Sequence, residues 1–167
     1  MDRLQQLYRE VILEHSRRPR NFRRLHAPAR CADGINQLCG DRLRLCVNGD
    51  GARIDEAAFE GAGCAISIAS ASLLTEAVAG RTCDDALALA DRLEQALSGT
   101  APEDLGALEA LCGVRAFPTR IRCATLAWRA LRAALHGETR PVSTERAPNT
   151  PDTRTWTKTS HDVRPDQ

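Results

Sequence analysis

A chain of 167 residues, 43% apolar but only 4% aromatic, suits one domain whose core is filled by Ala, Leu, Val and Ile, with helices lying close together. Its 23 basic and 22 acidic side chains nearly cancel, so the totals call for neither nucleic acid nor an anionic membrane as partner. Seven cysteines, an odd number, behind an opening Met1-Asp2-Arg3-Leu4 that shows no charged-then-apolar leader, read as thiols in a reducing cytoplasmic setting, and no window is apolar for long enough to span a bilayer.

From Asp2 to His15, Leu4, Leu7, Tyr8, Val11 and Ile12 recur at helical spacing, with Arg3, Gln5, Gln6, Glu10 and Glu14 on the other side. This predicts an amphipathic helix. Pro19 stops it, because proline removes a donor and restricts its predecessor. The run from Arg17 to Arg24 is then a basic loop, either a solvated charge run or a docking patch for an acidic partner. Arg30 to Ile35 reads as a short first strand. After Cys39-Gly40-Asp41, Leu43, Leu45 and Val47 alternate with Arg42, Arg44 and Cys46, the period of a half-buried strand. That pattern leaves Cys46 on the polar face as an incidental thiol. Asn48-Gly49-Asp50-Gly51 supplies the turn, and Ile54 to Phe59 returns as the partner strand of a hairpin.

In Phe59-Glu60-Gly61-Ala62-Gly63-Cys64 the two glycines permit a tight strand-to-helix turn. They leave Cys64 at the first turn of a helix, where free N–H groups and the helix dipole favour a thiolate. This helix runs to about Val78 and stops at Gly80, with Ile66, Ala69, Leu73, Leu74, Ala77 and Val78 as its apolar stripe. Thr82, with Asp85 three residues on, opens another helix that ends before Gly99. Pro102 to Cys112 reads as a short helix closed by Gly113, and Phe117-Pro118 resets the chain for a last helix from about Thr119 to His136. Residues 138–167 are rich in Thr, Pro, Arg and Asp without an apolar period, and read as a disordered tail whose one large apolar side chain is Trp156. The expected fold is α+β: a small antiparallel three-stranded sheet packed against several helices over residues 1–137, with the tail beyond.

Metal centres need several soft ligands brought to one point, and element ends are the natural source. Cys39 precedes a strand, Cys64 begins a helix, and Cys123 lies in the first turn or so of the last helix. Asp41, two residues after Cys39 with a glycine between, can swing a carboxylate toward the same point. Buried thiols are common in cores, so Cys31, Cys46, Cys83 and Cys112 default to packing or surface roles, and no Cys-x-x-Cys marks a compact zinc finger. His15, His26, His136 and His161 are scattered, and read as surface or satisfied residues.

Several motifs in order resemble the NifU N-terminal, IscU-like family: Leu7-Tyr8 to Val11-Ile12, Arg18-Pro19-Arg20-Asn21, Cys39-Gly40-Asp41, the stretch Phe59 to Ser72, and Arg120-Ile121-x-Cys123-Ala124-Thr125-Leu126. The resemblance spans about Leu4 to Leu135. It is nearest to the SufU branch, on the extra segment from about Ser98 to Phe117 and on Arg122, which stands where the IscU branch has a histidine. Asn36-Gln37 departs from the Asn-Pro that relatives often carry. Without the histidine, the resemblance implies a zinc site of Cys39, Asp41, Cys64 and Cys123.

The same resemblance implies iron–sulfur cluster assembly with a SufS-like cysteine desulfurase as partner and cluster assembly machinery downstream. Cys39, on a Gly-containing loop, is the expected catalytic sulfur acceptor, freed when a histidine of the desulfurase replaces it on zinc. Arg120 and Arg122 then grip the partner or stabilise negative charge, unless they are ordinary solvated arginines at a helix start. Three alternatives stay open: a scaffold holding a transient [2Fe–2S] cluster on the same ligands, a purely structural zinc, and a zinc hydrolase. The last has no Glu or His next to the ligand motifs to act as general base.

Overall fold

The computed structural model describes residues 2–26, 29–101 and 104–144. Helix α1 (Arg3–Arg17) starts where Asp2 accepts the Gln5 N–H at 2.8 Å, a side-chain cap on an otherwise orphan donor. Strands β1 (Arg30–Asn36), β2 (Asp41–Gly49) and β3 (Ile54–Ala62) follow as an antiparallel meander. Helix α2 (Ala65–Val78) leaves the end of β3. Helix α3 (Cys83–Leu97) opens on Thr82, whose hydroxyl accepts the Asp85 N–H at 3.0 Å as the sequence predicts. Helix α4 (Ile121–Leu135) closes the body.

Two elements differ from the expectation. Residues 106–116 form a 3-10 segment, where a short α-helix over Pro102 to Cys112 is predicted. Gly106, at φ 55°, enters it in a left-handed conformation that an α-helix does not contain, and the expected start at Pro102 lies outside the described residues. The sheet has four strands rather than three, in the order β3-β2-β1-β4, because Val142–Ser143 (β4) pairs parallel with Gly34 and Ile35 of β1. Two residues carry no alternation to read, so nothing in the sequence marks this strand. Residues 138–144 therefore belong to the folded body, and the rest of the expected tail, with Trp156, lies outside the described residues.

The inner face of the sheet, carrying Ala32, Leu43, Leu45, Val47 and Phe59, packs on α2 and α4 around the fully buried Trp128. Helix α2 is covered on nearly every side rather than along one stripe: Ser67 and every residue from Ala69 to Thr75 are buried. Its small side chains let α1 and α4 approach closely, and its hydroxyls find partners. The Ser70 hydroxyl donates to the Ala124 carbonyl at 2.6 Å and accepts the Trp128 indole N–H at 3.2 Å. Gly61 has a similar purpose in the sheet, where any Cβ would collide with the Arg42 carbonyl of β2. Among the described residues no helix is long and apolar enough to cross a membrane.

The basic loop is tied down. Phe59 and the Asn21–Arg23 backbone exchange two hydrogen bonds of 3.0 Å, and Arg20, Arg23 and Arg24 pair with Glu14, Glu56 and Glu60. At its start lies His15, buried, with Nδ1 2.7 Å from the Ser72 hydroxyl, which also accepts the Arg20 N–H. Burial, and then the Arg20 charge, hold the His15 pKa below that of a free imidazole. The unfolded chain thus takes up this proton first, so the contribution is fully present above about pH 6.5 and is lost as the pH falls through that value toward the folded pKa. Urea midpoints are expected to fall between pH 7.5 and 5.5 more steeply for the native chain than for His15→Gln; parallel profiles would contradict this.

Candidate metal centre

Three junctions of the fold meet at one end of the sheet. The β1–β2 turn carries Cys39, and its closing residue pair is Asn36 and Asp41. The β3–α2 turn carries Cys64 at the N-cap of α2, and the start of α4 carries Cys123. Ligand atoms of Cys39, Asp41 and Cys123 all lie within 4.8 Å of one another, with the two sulfurs 3.4 Å apart. Cys64 stands just outside that trio, its Sγ 3.9 Å from Asp41 Oδ2.

Asp41 is the hub. It is wholly buried, and its Oδ1 accepts the Cys64 N–H at 2.8 Å while Oδ2 accepts the Ser67 hydroxyl at 2.6 Å. The Asn36 amide reaches both Asp41 Oδ2, at 3.4 Å, and Cys123 Sγ, at 3.6 Å. Gly63 makes room for this: a Cβ there would lie 2.6 Å from Asp41 Oδ1. Asn36 and Ser67 were not legible as site residues, since an amide and a hydroxyl carry no metal-ligand signature. Their proximity depends on strand register and on the helix starting at residue 65. Asn36→Ala would take the amide donor from Cys123 Sγ and leave Asp41 Oδ2 with the Ser67 hydroxyl, and is expected to cost about 1–3 kcal/mol, read as a lowered urea midpoint; an unchanged midpoint would remove Asn36 from this account.

The electrostatics are those of a site short of positive charge. A hydrogen bond between Cys64 and Cys123 holds the Cys64 thiol below its ordinary pKa and pushes that of Cys123 above it. Arg120 faces the cluster: its hydrogen bond with Cys123, and then the charges of Cys64, Cys123 and Cys39, raise its own pKa. The Tyr8 hydroxyl is raised first by burial and then by Cys64. Arg122 is exposed. A buried carboxylate beside three sulfurs is costly unless a cation offsets it, and a mixed thiolate and carboxylate set suits zinc. The donors present therefore fit that ion. Cys39 is exposed whereas Cys123 is buried and Cys64 lies between, so one sulfur is accessible and the others are held.

The remaining cysteines correct one expectation. Cys31 and Cys46 are not thiols: they sit directly opposite each other on β1 and β2, Cα atoms 4.0 Å apart, and are joined as a disulfide. The pairing follows from a register that one strand alone cannot reveal. Cys112 is buried, and Cys83 is half-buried near Arg30.

Comparison with known proteins agrees with the arrangement of the chain. Residues 7–138 match the family described as NifU-like N terminal domain. The zinc-dependent sulfurtransferase SufU of Bacillus subtilis is 43% identical over 138 residues, covering 81% of this chain and 93% of that protein. The iron-sulfur cluster assembly scaffold protein IscU of Streptococcus pyogenes is 41% identical over 144 residues, covering 81% and 86%. A crystal structure from Fervidobacterium islandicum, of a protein named for a scaffold role in the SUF system, superposes with a TM-score of 0.74 at 31% identity, covering 78% of this chain and 97% of that one.

Proposed function

The chain belongs to the NifU-like N-terminal domain family, and from that premise we propose that it accepts persulfide sulfur from a cysteine desulfurase at Cys39 and passes it on for iron–sulfur cluster assembly. The observation that carries this reading is the contrast within the cluster: Cys39 is exposed on a four-residue turn, while Asp41 and Cys123 beside it are buried and hydrogen-bonded. Cys39, Asp41, Cys64 and Cys123 would hold zinc. When bound, that ion keeps the thiolates deprotonated at neutral pH and damps their reactivity.

The residues of the chain then divide the work. Cys39 Sγ, as thiolate, attacks the outer sulfur of the desulfurase persulfide. A new S–S bond forms on Cys39, the S–S bond on the partner breaks, and the partner cysteine leaves as its thiolate. The proton on the transferred sulfur travels with it, so atoms and charge balance. Asp41 is kept from following Cys39 outward by the Cys64 N–H and the Ser67 hydroxyl. Arg120, close to all three thiols, offsets the negative charge at the mouth. We assign the reaction to the cytoplasm, where reductants keep such thiols available, with a SufS-like enzyme as donor.

Metal analysis of the purified protein, paired with a desulfurase assay, tests the reading. A colourless protein with one zinc per chain that stimulates the desulfurase and carries the sulfur label on Cys39 is the expected result. A coloured protein with [2Fe–2S] absorbance that donates a cluster and takes no label would instead favour the scaffold reading, in line with the streptococcal relative's name.

A further inference from the structure

We propose that the Cys31–Cys46 disulfide and the arginine-lined cavity beside it form a thiol–disulfide exchange site for a small anionic thiol, separate from the Cys39 centre. The disulfide joins the outer face of the sheet, opposite the helices: Ala32 and Leu45, its neighbours, point into the core, while Cys31 shares its face with Asp33 and Arg44. It lies five residue pairs from Asn36 and Asp41, roughly 17 Å along the hairpin, so neither sulfur reaches the metal centre.

A cavity of about 420 Å³ opens onto it, lined by both cysteines together with Arg23, Arg24, Arg44 and Glu60. That volume suits a molecule of tripeptide size. Three guanidinium groups against one carboxylate favour an anion. Their present partners are weak competitors: Arg23–Glu56, Arg24–Glu60 and Arg44–Asp33 are all solvent-exposed pairs, worth little in water. A thiol bearing carboxylates can replace those partners at small cost. The Arg23–Arg24 segment is fixed to the edge of β3 by backbone bonds to Phe59. It makes the site a concavity, which admits a small molecule more readily than a cysteine on a protein surface.

The chemistry balances without an added oxidant. The incoming thiolate attacks Cys31 Sγ, the more accessible of the two sulfurs since Cys31 is half-buried and Cys46 buried. The new S–S bond joins ligand and Cys31, the Cys31–Cys46 bond breaks, and Cys46 leaves as a thiolate that takes a proton from water. Arg44, two residues before Cys46 on the same face, favours that negative charge as it develops. A second thiolate attacking the ligand sulfur frees Cys31 and releases the ligand as its own disulfide. Attack by Cys46 on the mixed disulfide reverses the first step. Exchange on this outer face leaves the packed inner face undisturbed. Disulfides that do occur in a reducing compartment are of this transient kind.

The test uses the full-length, metal-loaded protein, with glutathione as anionic, 2-mercaptoethanol as neutral and cysteamine as cationic probe at matched thiolate concentration. Adducts are located by peptide mapping, which separates Cys31 from Cys39. A glutathione adduct on Cys31 that forms about tenfold faster than the cysteamine adduct, with an advantage that shrinks as salt rises, is the expected result. The double variant Arg24→Gln, Arg44→Gln should bring the two rates within about twofold of each other. Equal rates for the three probes would overturn the proposal. So would a disulfide that resists all of them and yields only to a thioredoxin-like protein, or a pair that remains free thiols after exposure to oxidised glutathione.

Discussion

Gly63→Ala is expected to abolish metal retention and to destabilise the fold by about 2–4 kcal/mol. Gly63 is not among the residues with positive φ, so alanine can adopt its backbone conformation and the effect is purely one of space. The new methyl would sit 2.6 Å from Asp41 Oδ1 and 3.0 Å from its Cγ, well inside contact distance. Either the carboxylate turns away, giving up the Cys64 N–H and the Ser67 hydroxyl, or the β3–α2 turn shifts and takes Cys64 with it. Each route removes one donor from the cluster. Zinc per chain, by elemental analysis, and the urea midpoint should fall together. A variant that keeps full metal content and native stability would mean that the carboxylate does not need its present position.

Cys39→Ala should do the least to stability and the most to function. Cys39 is exposed and its sulfur meets Cys123 Sγ at 3.4 Å, so the metal-free fold is expected to change by no more than about 0.5 kcal/mol. Sulfur uptake, by contrast, should fall to background because Cys39 is the most exposed sulfur of the cluster, with Cys64 half-buried and Cys123 buried. Cys123→Ala is the matched control: it removes a buried side chain hydrogen-bonded to Asn36, and should lower the melting temperature as well as sulfur uptake. Stimulation of the desulfurase with undiminished labelling in Cys39→Ala would remove Cys39 from its role.

The two variants separate what was legible in the sequence from what was not. The alternation of β2, the Thr82 cap and the breaks at Pro19 and Gly80 are local signals, and local physics decided them. The nearness of Cys39, Asp41 and Cys123 was legible in outline because each stands at an element end. The details around them are tertiary. Asn36 reaches Asp41 through the closing pair of a hairpin, and Ser67 reaches it from the first turn of a helix. The Cys31–Cys46 pairing needed the register of two strands, and β4 needed a parallel edge that two residues cannot announce. The all-round burial of α2 was hidden because serine and alanine look equally at home on a surface.

The three junctions that converge on Asp41 also set an order in time. Cys39, Asp41 and Cys64 are made within the first half of the chain, whereas Cys123 arrives only with α4, the last helix of the core. A ribosome-bound chain ending before residue 123 has an incomplete donor set and an uncovered inner sheet, since Leu126 and Trp128 are still missing from the core. On the zinc reading proposed above, tight capture of the ion would coincide with closure of the domain, after synthesis of α4. Metal content would then record completed folding, and chains truncated upstream of α4 should leave the ribosome without it.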